Sequence, residues 1–220
     1  DLILINSQFE LDTNKFESEL AKFKDFDIWL DKRAMRPLLE LFNKIDSKDK
    51  ILPVSGYRSS KLQREIYENS LVENVEEFTR KFVALPGHSE HETGLAIDLG
   101  LNIGEIDYIS PLFPYEGICQ EFRILAPEYG FIERYPKDKT EITKIAHEPW
   151  HFRFVGYPHS AIITEFRLSL EEYIQVIKSF DAHNSFIYKN YCIWFSKNPE
   201  KSAQRISENN VDGFIMTNRN

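Results

Sequence analysis

The sequence predicts an α+β fold. Helical-period segments and short strand-like stretches share the chain without the strict alternation that builds a doubly wound parallel sheet. The apolar fraction is 42% over 220 residues, enough for a sizeable core and too high for a disordered chain. The length suggests one domain, or one domain with a small appendage.

The elements follow in chain order. Phe16, Leu20 and Phe23 recur at helical spacing and predict a first helix. Met35, Leu38, Leu39, Phe42 and Ile45 form a longer apolar stripe and predict a second. Ile51-Leu52-Pro53-Val54, ahead of Ser55-Gly56, reads as a strand. Ser59 or Ser60 then caps a helix through Leu62, Ile66 and Tyr67. Leu95 to Leu99 follows Gly94 as a strand, with Ala96 and Asp98 on one face. Phe122, Leu125, Ala126 and Tyr129 give a helix, and Phe131-Ile132 a strand after Gly130. His151 to Val155 forms a strand ending at Gly156. Ser169 with Glu172 is a capping box for a helix carrying Leu170, Tyr173, Ile174 and Ile177.

A polar break at Asp181–Ser185 divides the chain. Residues 1–180 form the main domain. Residues 185–220, with Phe186–Ile193 and Phe214–Met216 as strand-like runs, read as a strand–helix–strand extension. That piece is too small to fold alone, so it docks on the main domain.

Composition excludes several functions. Thirty-five acidic against 27 basic residues leave a net charge of −8, wrong for a general nucleic-acid binder. No run approaches the length of a membrane span. Leu2-Ile3-Leu4-Ile5 is too short for a signal-peptide core. Two cysteines, Cys119 and Cys192, cannot supply an all-thiolate metal site, and both are expected to be free in an intracellular protein.

The chemistry concentrates in two clusters, Gly87 to Asp98 and His147-Glu148-Pro149-Trp150-His151. Pro149 disfavours a helix at Glu148, so Glu148 and His151 lie on an extended segment rather than on a helical zinc motif. His91, Asp98 and His151 supply two imidazoles and a carboxylate, a donor set that leaves a catalytic zinc one open position. Glu148, three residues before a ligand, is placed to act as the base on a bound water. Two His and a carboxylate also describe the facial triad of non-heme iron enzymes. The seven-residue gap from His91 to Asp98 and the additional Glu148 favour zinc and hydrolysis.

Ser89-Glu90-His91-Glu92-Thr93-Gly94-Leu95-Ala96-Ile97-Asp98 matches S-x-H-x-x-G-x-A-x-D, and Glu148-Pro149-Trp150-His151 matches E-x-W-H. Together they resemble the VanX/VanY class of zinc D,D-peptidases, the D-alanyl-D-alanine metallopeptidases. Ser55-Gly56-Tyr57-Arg58-Ser59, with Gln63 after it, looks like the upstream G-Y-R motif of that family. Phe82 to Gly87 and Glu148 to Pro158 look most like the bifunctional VanXY subgroup. Asn209 to Ile215 resembles an extension of the VanG-type branch.

The resemblance implies a small mixed or antiparallel sheet with flanking helices, the hedgehog-like fold of these peptidases. It implies His91, Asp98 and His151 as Zn²⁺ ligands, Glu148 as catalytic base and Arg58 as oxyanion donor. Ser89, Gln63 and Trp150 are the candidates for contacting substrate. The implied substrates are the D-Ala-D-Ala dipeptide and peptidoglycan precursor peptides, with a role in glycopeptide (vancomycin) resistance and a cytoplasmic location. Two alternatives stand beside this: an extracytoplasmic D,D-carboxypeptidase that has lost an anchor, and a non-catalytic cell-wall-binding module. His88 departs from the family pattern and is expected to bring another imidazole near the metal.

Overall fold

The computed structural model describes residues 1–220. After an extended N-terminal segment, β1 (Leu20–Lys22) and β2 (Trp29–Asp31) form a small hairpin. The helical spacing of Phe16, Leu20 and Phe23 is not used as a helix. Leu20 pairs with Asp31 and Lys22 with Trp29, and Phe23 reaches the core from the turn side of the hairpin. Asp31 then caps α1 (Lys32–Lys44) by accepting from the Arg33 amide. Of the predicted stripe, Met35 and Leu38 pack inward, joined by Leu41, whereas Leu39 faces solvent.

The two motif clusters sit around a four-stranded antiparallel sheet. It comprises β3 (Ile51–Ser55), β4 (Ala96–Leu101), β5 (Phe131–Tyr135) and β6 (Glu148–Phe154) in the order β3-β4-β6-β5. Pro53 is tolerated because β3 is an edge strand. Between β3 and β4 lie α2 (Ser60–Glu73), with Ser59 as cap, and α3 (Glu76–Phe82). α4 (Gly117–Leu125) precedes β5, and a single turn, α5 (Thr140–Thr143), precedes β6. Helices α6 (His159–Glu165) and α7 (Leu170–Ile177) follow, the latter opened by the full Ser169–Glu172 capping box.

The C-terminal extension differs from the strand–helix–strand expected of it. It is a four-stranded antiparallel sheet with no helix: β7 (Phe186–Tyr188), β8 (Tyr191–Ser196), β9 (Arg205–Glu208) and β10 (Phe214–Arg219), ordered β7-β8-β10-β9. The run read as one strand is a hairpin, broken at Lys189-Asn190, where Lys189 takes φ 51°. Residues 197–204 hold turns instead of a helix.

Two cores result. The larger packs α1, α4 and the main sheet; the second packs α6 and α7 against β8 and β10. The N-terminal segment runs between them. Ile3 and Ile5 point into the first core, Leu2 and Leu4 into the second, the alternation of extended chain. His159 adds a buried polar tie, with Tyr173 Oη at 2.6 Å from its Nδ1 and Thr217 Oγ1 at 3.2 Å from its Nε2.

Candidate active site

Asp98 and His151 are register partners across β4 and β6, so their side chains emerge side by side. Glu148 requires a further device. Residues three apart on a regular strand face opposite sides. Here Glu133 pairs with Phe152 and Tyr135 with Glu148, so two steps along β5 span four along β6. The resulting irregularity carries Glu148 to the same cleft as His151. A second register shift in β3, between Pro53 and Ser55, lies directly opposite Asp98.

His91 arrives from a 3₁₀ turn, Glu90–Thr93, that ends on Gly94 in the left-handed region at φ 71°. A Cβ at Gly94 would stand 2.9 Å from Leu20 and 3.0 Å from the Asp31 amide nitrogen, so this tight entry to β4 requires glycine. Gly56 is equally constrained, since a Cβ there would meet the Trp29 carbonyl oxygen. That close approach places the Gly56 carbonyl oxygen 2.7 Å from His91 Nδ1. The carbonyl can only accept, so Nδ1 carries the proton and Nε2 presents its lone pair.

His91 Nε2 is buried without a hydrogen-bond partner and lies 3.1 Å from Asp98 Oδ2. His151 Nδ1 is 2.9 Å from Asp98 Oδ1 and 3.8 Å from Glu148 Oε2. One ligand atom from each of His91, Asp98 and His151 lies within 4.8 Å of the others. An orphaned imidazole nitrogen, a second imidazole and a carboxylate converging at this spacing fit a divalent metal.

All eight sequence-derived candidates line one cleft of about 330 Å³: Arg58, Gln63, Ser89, His91, Asp98, Glu148, Trp150 and His151. Trp150 both walls the cleft and packs into the main core. Gln63 donates from Nε2 to the Ala84 carbonyl, which leaves its buried Oε1 unpaired. Arg58 enters from the β3–α2 connection, its guanidinium 3.8 Å from Asp98 Oδ2. His88 is not part of the site: its Nδ1 lies 2.7 Å from the Asn6 carbonyl on the N-terminal segment. That hydrogen bond turns the imidazole to the N-terminal segment instead of the cleft.

The electrostatics follow from burial. Glu148 is pushed up to about 8 by desolvation, with Asp98 and Glu90 adding to the rise and His151 and Arg58 opposing it. Burial and the Arg58 charge press His91 down to about 4. Burial disfavours the Asp98 charge, yet the two flanking histidines outweigh it and hold Asp98 well below the usual carboxylate range. Sequence reasoning missed Tyr135, whose ring lies 4.8 Å from that of His151, and the cleft-lining Tyr108 and Ile109. Their contribution depends on where β5 and the loop after β4 run.

The VanY family, described as D-alanyl-D-alanine carboxypeptidase, matches residues 27–157. The chain belongs to the VanY family. Within it, the bifunctional D-Ala-D-Ala dipeptidase and carboxypeptidase VanXYC of Enterococcus gallinarum is 45% identical over 175 residues, 78% of this chain and 92% of that protein. The crystal structure of the D,D-dipeptidase VanXYg with a D-Ala-D-Ala phosphinate analogue superimposes with a TM-score of 0.93 at 47% identity. It covers 98% of this chain and 92% of that one. A mutant of the D,D-pentapeptidase VanY from a VanB-type resistance cassette, in complex with Zn(II), matches with a TM-score of 0.64 at 32% identity, over 79% of this chain and 98% of that one. The main sheet and its helices are thus the VanY fold, as the motifs predicted.

Proposed function

We propose that this VanY-family chain is a zinc D,D-peptidase. It hydrolyses the D-Ala-D-Ala dipeptide and removes the terminal D-Ala from peptidoglycan precursors, and so contributes to glycopeptide resistance. The observation that carries the reading is the convergence of His91, Asp98 and His151 beside Glu148 in one cleft. The dual substrate range rests on similarity to VanXYC and VanXYg, whose names give these activities.

His91, Asp98 and His151 would hold the zinc. Bound there, Zn²⁺ supplies Lewis acidity that polarises a carbonyl and acidifies water. Glu148 takes the proton of the attacking water and returns it to the leaving amine. Burial raises its proton affinity in the metal-free cleft, which suits delivery of a proton to the leaving amine; the charge of a bound zinc would favour the carboxylate form that accepts one. Arg58 donates to the oxygen on which negative charge builds. Gln63 Oε1, an acceptor with its amide fixed by Ala84, meets a donor on the substrate. Ser89 is offered to the amide or carboxylate of the substrate, and Trp150 walls the cleft. The cytoplasm is the proposed location, tested by assaying cell fractions.

The direct test measures D-Ala release from the dipeptide and from a pentapeptide side by side. Release from both, abolished by a chelator and restored by Zn²⁺, supports the proposal. Release from the pentapeptide alone leaves a carboxypeptidase, the activity by which the family is described. Release from neither leaves a cell-wall-binding module. Glu148→Ala should retain zinc while kcat falls by roughly 10²–10⁴; near-normal turnover would remove Glu148 from its role.

A further inference from the structure

We propose that Glu90 is a positioning residue for His151: it accepts the Nε2–H of that imidazole, and two buried arginines hold it in place to do so. The inference rests on the metal-site reading above and concerns what stands behind the ligands.

Glu90 is 1% exposed and sits inside the S-x-H motif, one residue before His91. Its two oxygens have different surroundings. Oε1 receives Arg134 Nε at 2.8 Å and stands 3.0 Å from Arg153 Nη1. Oε2 is buried with no partner. It lies 3.5 Å from His151 Nε2, which is also buried with no partner. Two orphaned groups of complementary chemistry therefore face each other on the side of His151 away from Asp98. Nδ1 is the nitrogen turned to Asp98 and Glu148, so Nε2 is the one left to carry a proton.

The support behind Glu90 is rigid. Arg134 forks onto Glu171 of α7 with contacts of 3.0 and 2.7 Å. Arg153 is tied to the carbonyls of Asp1, Ile3 and Phe154. Both arginines are essentially inaccessible to solvent. A buried charge cluster of this kind is a poor way to gain stability, because apolar packing of the same volume does as well or better. The one oxygen it directs at His151 gives the cluster a role other than stability. The two histidines then have unequal backing: His91 donates to a neutral carbonyl at Gly56, His151 to a carboxylate. The carboxylate fixes the His151 tautomer and raises its strength as a donor to a metal.

The experiment measures Zn²⁺ affinity by competition with a chromophoric chelator. Glu90→Gln should weaken binding roughly 10- to 100-fold. Glu90→Asp keeps the charge for the arginines but retracts the carboxylate by one methylene, and should also bind more weakly. Asp31→Asn is the control. Asp31 is an equally buried carboxylate, paired with Arg33 at the cap of α1, and its loss should lower Tm with Zn²⁺ affinity unchanged. Folded Glu90 variants that bind Zn²⁺ as tightly as the parent would overturn the proposal. A readout on the unmutated protein needs no variant: ¹⁵N NMR of the zinc-loaded form should show His151 protonated at Nε2, and an unprotonated Nε2 overturns the assignment. A parent protein that binds no Zn²⁺ would instead overturn the functional reading.

Discussion

His151 is where the ionisation chemistry of the site is most exposed to experiment. Burial alone would lower its proton affinity, but the hydrogen bond to Asp98 and the facing Glu90 carboxylate outweigh burial and carry it up to about 9. Without metal, His151 is therefore an imidazolium at neutral pH. A metal ligand must be neutral, so binding expels that proton. The sign follows: affinity for Zn²⁺ rises with pH up to about 9 and falls about tenfold per unit below it. His91, lowered to about 4, adds a second dependence only at much more acid pH. Chelator competition between pH 6 and 8 checks this, and a flat profile refutes it. Arg58 makes a separate prediction. Its guanidinium lies 3.8 Å from Asp98 and its Nε is buried without a partner, so it is held at the cleft rather than in a surface ion pair. Arg58→Ala should cost about 10²–10³ in kcat, the worth of one oxyanion donor, and Zn²⁺ should still bind. Loss of metal from that variant would make Arg58 a support for Asp98 instead.

At the scale of elements, the irregular start of β6 makes the site, and Arg123 of α4 braces it. Arg123 donates to Glu133 at 2.7 Å and to the carbonyls of Phe113 and Pro149 at 2.8 Å each. Pro149 directly follows Glu148 in the chain. Arg123→Met should lower stability by roughly 3–5 kcal/mol, the usual loss for breaking a buried ion pair. In conditions where the variant is folded, kcat should drop while Zn²⁺ affinity holds; an unchanged kcat would show that β6 keeps its shape unaided. Much of this site was legible in the sequence, because its chemistry is carried by short motifs whose residues are few and specific. His91 to Asp98 runs from one turn straight into β4, Glu148 to His151 lies on β6, and cross-strand register does the rest. What could not be read depends on contacts between distant segments. Glu90 looks like a spacer in S-x-H until Arg134 and Arg153 are placed beside it. His88 looks like a site residue until Asn6 is found holding it. Phe16, Leu20 and Phe23 have helical spacing, but a three-residue strand paired with β2 prevails over local period. The turn at Lys189-Asn190 was hidden because neither residue is glycine, although Lys189 adopts a left-handed φ.

For the whole molecule, the question is whether the extension is a separable module or part of one cooperative unit. Its sheet has few means of standing alone: its strands are short, and Ile193 and Ile215 pack into the core they share with α7. The N-terminal segment ties it to the rest. Leu2 and Leu4 fill the second core while Ile3 and Ile5, their immediate neighbours, fill the first. The Leu4 amide donates to the Asn209 carbonyl, and Asn210 donates back to the Leu4 carbonyl. His159 bridges α7 and β10, and it is kept neutral because burial holds its proton affinity far below the ordinary range. Neither core can open without exposing one face of the same N-terminal strand of chain. Cooperative unfolding of the entire chain follows, despite two distinct cores. Trp150 reports on the cleft and Trp194 on the extension sheet, so single-tryptophan variants can follow each region. The two fluorescence transitions in urea should coincide. Leu4→Ala removes a side chain only 3% exposed and should cost about 2–5 kcal/mol. Both transitions should then shift to lower urea together. If Leu4→Ala moved only the Trp194 transition, the extension would be an independent unit and the N-terminal segment merely its lining.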